Sequence, residues 1–453
     1  MRVHILFLWL ALATITSSAP LGEAKPNPQV AGVVKEISAQ KIEASIRKLV
    51  SFGTRHTLSD NTSETRGIGA ARRWLQAEFE RYAKDSGNRL EVTMNEFTQP
   101  SGERNPQPVQ VVNVVATLPG AQAESRDRIY VVSGHYDSRV SDPMNATADA
   151  PGANDDASGV AAVLEMARAM SRQKWDATLV FMAVAGEEQG LFGSAHWAKM
   201  AKEKHWNIAG MITNDIIGSS HAADGHVDNQ HVRLFAEGVP PLPEMPEAWR
   251  KQVQTGGEND SGARELARFV KATGERYVRG MTVNIIYRKD RYLRGGDHSP
   301  FLEAGFPALR LTEPNEDFRH QHQDVREENG VQYGDLPQFD DFAYIAQVAR
   351  INAASLGALA LAPAAPAGVE IETKELTNDT TLHWQANREP DLAGYEVLWR
   401  ETTAPLWQEK SATGNVTRFT IPKVSKDNFL FGVVAVDQDE NRSPAVYPAP
   451  SAK

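Results

Sequence analysis

The stretch 178-TLVFMAVAGEEQG-190 decides the fold of this chain. Residues 178–185 are an uninterrupted apolar run, which is typical of a strand buried on both faces. Strands of that kind lie inside a parallel sheet that is covered by helices on both faces. Two adjacent acids, Glu187 and Glu188, follow directly. The sequence therefore predicts a buried α/β sheet with two carboxylates at the carboxyl end of a central strand.

Strands and helices alternate on both sides of this run. Predicted strands cover residues 109–118, 128–133, 209–217, 282–287 and 308–312, and predicted helices cover residues 159–171, 191–202, 262–277 and 339–361. This alternation predicts a three-layer α/β/α domain with a mostly parallel central sheet, which we place at residues 25–361. With 453 residues the chain exceeds one ordinary core, so we expect a second domain.

The pattern changes after the Pro/Ala segment at residues 362–367, which predicts a linker. Short predicted strands separated by turns follow. Trp384 and the strands at residues 394–400 and 429–437 stand where a fibronectin type III domain has its core Trp and paired strands, and the tail resembles that family. The resemblance implies a small all-β sandwich at residues 368–450.

The amino-terminal residues have the pattern of a secretory signal. Arg2 precedes a short apolar run at residues 5–15, and small residues then offer cleavage after Ala19 or Ala24. The alternative is a membrane anchor, but the run is short for a bilayer span. We therefore predict a signal peptide at residues 1–24, no stable membrane insertion after its removal, and a secreted or periplasmic location.

The composition narrows the chemistry that this chain can perform. It has no cysteine, so any metal site must use His, Asp and Glu, and an exported bacterial protein fits this composition best. The net charge of -10 argues against a nucleic-acid partner, which would favour a basic surface. The sequence makes no prediction of the oligomeric state.

Acids and histidines cluster at or just beyond the carboxyl ends of predicted strands, where open α/β sheets form their sites. The clusters centre on His135, Asp155, the pair Glu187 and Glu188, Asp215, and residues 320–324. Taken singly, each also fits a structural role such as a solvated turn, a helix cap, a calcium loop or an ion pair. Two neighbouring carboxylates can also divide the work, one binding a metal and one accepting a proton from water.

As an ordered set, these residues resemble the co-catalytic di-zinc metallopeptidases, which include secreted bacterial aminopeptidases and glutamate carboxypeptidases. The resemblance spans roughly residues 35–360. It implies two zinc ions bridged by one Asp and one water. Carried over by motif, the metal ligands are His135, Asp155, Glu188, Asp215 and His320. The resemblance implies that Asp155 bridges the two ions and that Glu187 is the general base.

The last ligand has a competitor. The family ends its site with a His-Thr-Pro-x-Asp segment, whereas this chain has His-Gln-His-Gln-Asp at residues 320–324. His320 is preferred to His322 because Asp324 then falls four residues after the histidine. The resemblance also implies that Asp137 orients the imidazole of His135.

Two further expectations come from the same resemblance. Asp297 and His298 lie in a segment similar to the family's Ser-Asp-His-x-x-Phe box, with Gly296 in place of Ser, and are expected to line the substrate site. The family has a non-proline cis peptide after its bridging Asp, which predicts one between Asp155 and Asp156. The donor that stabilises the oxyanion stays open among three candidates, Tyr136, Tyr292 and His298.

The implied activity is that of a secreted zinc exopeptidase acting on peptides. An aminopeptidase is expected because secreted bacterial members commonly have that activity, which is an argument by analogy. Alternatives on the same scaffold are a carboxypeptidase and a glutaminyl-cyclase-like acyltransferase, which would use a single zinc. A non-catalytic binding protein is disfavoured because this chain retains the whole ligand set and the base.

Overall fold

The computed structural model describes residues 19–20, 25–239 and 245–451 of the chain. Strand β1 (Ala19–Pro20) pairs antiparallel with residues 409–410. The rest of the predicted signal peptide at residues 1–24 lies outside the described residues. Among the described residues, none of the helices combines the length and the apolar character that a membrane span requires.

An eight-stranded sheet forms the centre of the described chain, in the order β2-β3-β5-β4-β6-β9-β7-β8. Its strands are β2 (Glu91–Gln99), β3 (Val109–Leu118), β4 (Arg128–His135), β5 (Thr178–Val184), β6 (Asn207–Asn214), β7 (His231–Ala236), β8 (Thr282–Ile286) and β9 (Ala308–Thr312). Four of the seven neighbouring pairs in this sheet are parallel, including the consecutive run β5-β4-β6-β9. The sheet is therefore mixed, with antiparallel pairing toward both edges.

Helices cover both faces of the sheet. The helices of the described chain are α1 (Pro28–Glu36), α2 (Ala39–Val50), α3 (Gly67–Asp85), α4 (Gly159–Met170), α5 (Phe192–Glu203), α6 (Glu247–Gln254), α7 (Gly262–Tyr277), α8 (His298–Ala304) and α9 (Phe342–Leu361), with short helical turns at Ala153–Ser158 and Pro337–Phe339. Neighbouring side chains of a strand point to opposite faces. Accordingly Val132 packs in the core that contains α4 and α9, whereas Val131 packs in the core that contains α5 and α8. This arrangement confirms the predicted three-layer architecture.

Strand β5 explains why the apolar run is decisive. Every residue of Thr178–Val184 is buried, as expected for a strand with helices on both sides. The edge strand β2 alternates between exposed and half-buried residues and was missed in the sequence, as were β7 and α8. These elements are short or polar, so their hydrophobic pattern is weak.

The tail of the chain forms two small β-sheets. After the hairpin β10 (Arg326–Glu328) and β11 (Val331–Tyr333), its strands are β12 (Glu370–Ile371), β13 (Thr380–His383), β14 (Leu392–Glu401), β15 (Glu409–Gly414), β16 (Arg418–Ile421), β17 (Phe429–Asp437) and β18 (Ala449–Pro450). Trp384 packs in the core between them. Arg400 Nη2 lies 2.8 Å from Asp260 Oδ1, which joins this part to the segment before α7. The fibronectin type III identity and the boundaries at 361, 367 and 450 stay predictions.

Candidate metal centre

The parallel strands β4, β5 and β6 carry their functional residues to one edge of the sheet. His135 is the last residue of β4, Asp215 follows β6 directly, and Glu187 and Glu188 come three and four residues after β5. Gly186 makes the tight turn after β5 with φ +77°, a conformation that glycine adopts at little cost. Register within a parallel sheet therefore brings these side chains together, as the sequence predicted.

The first cluster contains His135, Glu187 and Asp215. Each side chain offers one ligand atom, and these atoms lie within 4.8 Å of one another. His135 and Asp215 are buried, with 1% and 3% of their surface exposed. His135 Nε2 lies 3.9 Å from Asp215 Oδ1.

The second cluster contains Asp155, Glu188 and His322. His322 Nε2 lies 2.9 Å from Asp155 Oδ2 and 3.1 Å from Glu188 Oε1. The other oxygen of Asp155, Oδ1, lies 3.1 Å from His135 Nε2 of the first cluster. Asp155 therefore stands between the two clusters and presents one oxygen to each.

The structure corrects the choice of His320. Its ring stacks on Phe339 with 3.7 Å between the ring centroids, and its Nδ1 lies 3.8 Å from Asp317. The chain turns tightly here, with Gln323 N donating to His320 O, and His322 has a positive φ of 54°. The two imidazoles consequently point to different places, and it is His322 that meets Asp155 and Glu188.

Asp324, on whose spacing the choice of His320 depended, is not in either cluster. It is exposed and accepts a hydrogen bond from Ser141 Oγ at 2.9 Å. The family spacing misled because the segment at residues 320–324 departs from the family's sequence, so the position of one acid does not fix which histidine turns inward.

In the metal-free protein, the pKa values of the clustered side chains show how their charges are balanced. Burial raises the pKa of Glu187 well above its ordinary value, and repulsion from Asp215 and Glu188 reinforces the shift. Burial works against protonation of His322, but attraction from Glu188 and Asp155 outweighs it and raises the pKa of this imidazole to about 10. The two clusters thus hold a surplus of negative charge, which protons relieve when no cation does.

Arg310 is a partner of the first cluster that sequence reasoning missed. Its Nη2 lies 3.0 Å from Asp215 Oδ1 and its Nη1 lies 3.1 Å from Asp290 Oδ2. Burial works to raise the pKa of Asp215, but the Arg310 guanidinium holds it below its ordinary value. The available signal was an arginine in the otherwise apolar strand β9, because a buried charge needs a partner.

Asp137 supports the clusters through their backbone. Its Oδ2 accepts hydrogen bonds from Thr57 Oγ1 at 3.0 Å and Glu188 N at 3.1 Å, and its Oδ1 accepts one from Glu187 N at 3.3 Å. His135 Nδ1 lies 3.2 Å from the Asp137 carbonyl oxygen and 3.7 Å from its carboxylate. The predicted contact with the imidazole is present, and the carboxylate also fixes the loop that carries both glutamates.

The segment that carries Asp155 is also fixed by an acid. Asp335 accepts hydrogen bonds from Asp155 N at 2.7 Å and from Asn154 N at 2.8 Å. The peptide bond between Asp155 and Asp156 is cis, which confirms that prediction. Asp156 accepts a hydrogen bond from His135 N at 2.9 Å. Asp335 and Asp156 had no recognisable signal in the sequence, because their partners are backbone groups of distant elements.

Asp297 and His298 do not line the cavity beside the clusters, contrary to expectation. Both are buried at the start of α8, and His298 Nε2 lies 2.8 Å from Lys289 O. Burial raises the pKa of Asp297 to about 7. Their neighbour Gly295 lines the cavity instead. They lie behind the site because the helix begins at this point and directs its first residues into the core.

The candidate oxyanion donors also lie away from the cavity beside the clusters. Tyr136 is fully buried and its hydroxyl donates to Val112 O at 2.7 Å. Tyr292 is 80% exposed. Neither Tyr136, Tyr292 nor His298 is among the described residues that line the cavity beside the clusters.

The donor set fits zinc. Histidine nitrogens and carboxylate oxygens are ligands that zinc takes in proteins. Among the described residues, His135 Nε2 and Glu188 Oε1 are buried and lack a hydrogen-bond partner. Buried polar atoms left in this way are the expected arrangement of groups that bind a cation.

Solved structures share this fold. The chain is similar to the LapA aminopeptidase of Legionella pneumophila, with a TM-score of 0.51 at 19% identity, covering 74% of this chain and 75% of that one. It is also similar to a glutaminyl cyclase of Porphyromonas gingivalis, with a TM-score of 0.50 at 17% identity, covering 71% of this chain and 98% of that one. At such identities the likeness concerns the fold alone.

Comparison of amino-acid sequences finds relatives of much higher identity. A relative from Leptosphaeria maculans, described as "Probable zinc metalloprotease", is 51% identical over 432 residues, which are 95% of this chain and 99% of the relative. That relative is fungal, so it lends no support to the bacterial source that we expected. The profile of peptidase family M28 matches residues 113–334, which include both clusters. The chain therefore belongs to peptidase family M28, as a zinc metallopeptidase.

Proposed function

We propose that this metallopeptidase is an exported aminopeptidase that holds two zinc ions and removes residues from the amino terminus of peptides. The observation that carries the proposal is the pair of adjacent clusters with Asp155 between them. In this assignment His135 and Asp215 would hold one zinc, and Glu188 and His322 would hold the other. Asp155 would serve both, which leaves Glu187 to act on a proton.

The bound metal would supply Lewis acidity that polarises the scissile carbonyl and lowers the pKa of water. Glu187 accepts the proton of the attacking water and passes it to the leaving amine. Glu187 is half-buried at the cavity, and burial raises the pKa of its carboxyl group, which favours holding the proton between the two transfers. The backbone N–H of Glu187 donates to Asp137 Oδ1, which keeps Glu187 in place.

The aminopeptidase direction is supported by analogy with the LapA aminopeptidase, whose fold this chain shares. The glutaminyl cyclase shares the fold as well, so the fold does not separate the two activities. Metal stoichiometry separates them, since the cyclase alternative uses one zinc and the peptidase proposal requires two.

A substrate panel tests the proposal. The zinc-loaded full chain is assayed with short peptides whose amino terminus is free or acetylated and whose carboxyl terminus is free or amidated. We expect cleavage only when the amino terminus is free, abolition by a chelator, and two zinc ions per chain by elemental analysis. Cleavage of acetylated peptides that requires a free carboxyl terminus, release of cyclised product, or one zinc in the fully active enzyme would overturn it.

Export is tested separately. Mass spectrometry of the mature protein from the culture medium or the periplasm is expected to show a chain that begins at Pro20 or Lys25. A mature chain that starts at Met1 and stays inside the cell contradicts this part of the proposal.

A further inference from the structure

A cavity of about 320 Å³ opens beside the two clusters. Among the described residues that line it, every acid already belongs to the proposed site, namely Asp155, Glu187, Glu188 and Asp215. The other formally charged side chains of the lining are arginines, Arg104, Arg139, Arg291 and Arg294. The proposed function does not use these four arginines.

Two of the arginines adjoin the second cluster. Arg139 Nε lies 3.1 Å from Glu188 Oε2, and its Nη2 lies 2.6 Å from His322 Nδ1. Arg104 Nη1 donates to the Glu188 carbonyl oxygen at 3.0 Å, and its side chain is exposed. This contact does not offset the positive charge of Arg104, because the described partner is a neutral backbone group.

The other two arginines, Arg291 and Arg294, come from the segment at residues 288–294, RKDRYLR. Arg291 Nη1 and Arg294 Nη1 lie 2.8 Å and 3.2 Å from Glu316 Oε2. Glu316 also pairs with Arg233 at 2.9 Å. Three guanidinium groups thus share one carboxylate. Asp290 likewise pairs with two arginines, Arg291 and Arg310.

This sharing leaves an excess of positive charge at the cavity. Four negative charges of the site would be balanced by two divalent cations, so the arginines set the field that a substrate meets. The side chain of Arg294 is 36% exposed and that of Arg291 is 10% exposed, so Arg294 is the more accessible of the two to a ligand. A guanidinium group binds a carboxylate through paired charge-assisted hydrogen bonds.

We propose that this cavity selects peptides that carry a carboxylate close to the scissile bond, held by Arg294 with support from Arg104 and Arg291. The carboxylate is either an acidic side chain or the carboxyl terminus of a short peptide. This inference rests on the proposed peptidase function and specifies its substrate class. A lysine side chain at the same position meets the arginines and is disfavoured by like charge.

Four peptides with the same amino-terminal residue separate the two sources of carboxylate. The parent is neutral and amidated, the second has a free carboxyl terminus, the third is amidated with a Glu after the first residue, and the fourth is amidated with a Lys there. The measurement is kcat/KM of the zinc-loaded full chain at low salt. We expect the second or third peptide to exceed the parent by about tenfold, and the Lys peptide to fall below it.

Arg294→Gln is expected to reduce that preference about tenfold. Arg288→Gln is the matched control, because Arg288 is exposed on the same segment, stacks on Tyr292 at 4.0 Å, and is not among the residues that line the cavity. We expect Arg288→Gln to keep the preference. Calorimetric binding of the same peptides to Glu187→Gln and to the Glu187→Gln/Arg294→Gln double variant gives a readout without turnover.

The outcomes separate the two proposals. Chelator-sensitive cleavage of all four peptides at similar rates, or an equal loss of preference in Arg288→Gln and Arg294→Gln, overturns the substrate class and leaves the peptidase function intact. Failure of the zinc-loaded protein to cleave any of the four overturns the proposed aminopeptidase function itself. A preference for the free carboxyl terminus over Glu assigns the terminal carboxylate as the ligand, and the reverse order assigns the side chain.

Discussion

The two clusters of the metal centre are built in different ways. The first takes His135 and Asp215 from the ends of neighbouring parallel strands, where the backbone hydrogen bonds of the sheet fix their positions. The second takes His322 from the long segment between β9 and α9. The side chain of His135 is 1% exposed and that of His322 is 25% exposed. Sheet register fixes the first cluster, whereas side-chain contacts and turns place the second.

The clusters also differ in their countercharge. Arg310 reaches Asp215 from inside the sheet and is fully buried. Arg139 reaches Glu188 from the cavity side and is 16% exposed. We therefore expect a disturbance of the first cluster to affect the stability of the whole domain, and a disturbance of the second to affect mainly metal binding and activity.

Glu187→Gln should give the largest effect. Glu187 lies with His135 and Asp215, so the structure alone allows a ligand or a base. As the base, its loss should lower kcat by about 100-fold to 10,000-fold while both zinc ions stay bound. The measurement is kcat together with zinc per chain. Loss of one zinc would make Glu187 a ligand, and near-normal turnover would remove it from the chemistry.

His322→Ala tests the second cluster directly. We expect the zinc affinity of the second cluster to fall by more than about 100-fold, because even residues that only support a ligand typically contribute a factor of about 10 to 100 to metal affinity. The matched control is His320→Ala, which should keep both zinc ions and lose only about 1 kcal/mol of stability with its contact to Phe339. Zinc titration of both variants decides which histidine is the ligand. If His320→Ala weakens the binding of the second zinc and His322→Ala does not, the assignment is reversed.

Arg310→Met tests the buried countercharge of the first cluster. Removing Arg310 leaves Asp215 without its buried arginine and leaves Asp290 with Arg291 as its remaining arginine, which should lower the free energy of unfolding by about 3–5 kcal/mol. Arg319→Met is the control, because the side chain of Arg319 is 41% exposed and its ion pair with Asp317 should contribute no more than about 1 kcal/mol. Urea denaturation measures both. Equal losses of stability in the two variants would show that the buried ion pairs of Arg310 contribute no more than the pair of Arg319.

Removal of the metal should make stability depend on pH. The pKa of His322 in the folded protein is raised to about 10, above the value of about 6.5 expected in the unfolded chain. Its protonation therefore stabilises the metal-free fold fully below about pH 6.5, and this contribution is lost as the pH rises toward about 10. The urea midpoint of chelated protein should fall over this window. The decline should be smaller in chelated His322→Gln and in zinc-bound wild type, and a flat profile for chelated wild type would contradict the shift.

Much of the first cluster could be predicted because each residue adjoins a strongly patterned strand. His135 is the last residue of a buried strand, and Asp215 directly follows the end of another. A correct prediction of these strands therefore nearly fixes the positions of both residues. Glu187 and Glu188 follow the most apolar run of the chain. For these residues, local pattern and final position agree.

The supporting residues could not be predicted in the same way. Asp335 accepts from the backbone of Asp155, and Asp156 accepts from the backbone of His135. Backbone N–H groups are the same at every position except proline, so a sequence gives no indication of which acid will accept from which one. Arg310 gave a signal as a charge within an apolar strand, but its partners were not evident.

The sequence by itself determined the α/β class, the strands that form the centre of the sheet, and the acids and histidine that stand at their carboxyl ends. It did so because a side chain's burial along a strand follows from a period of two or from an unbroken apolar run. Tertiary structure alone decided that His322 rather than His320 joins Asp155 and Glu188, that Asp297 and His298 lie behind the site, and that arginines from separate segments line one cavity. The physical reason is that loops carry no repeating pattern, so the direction of each side chain depends on turns and long-range contacts that form only in the folded chain.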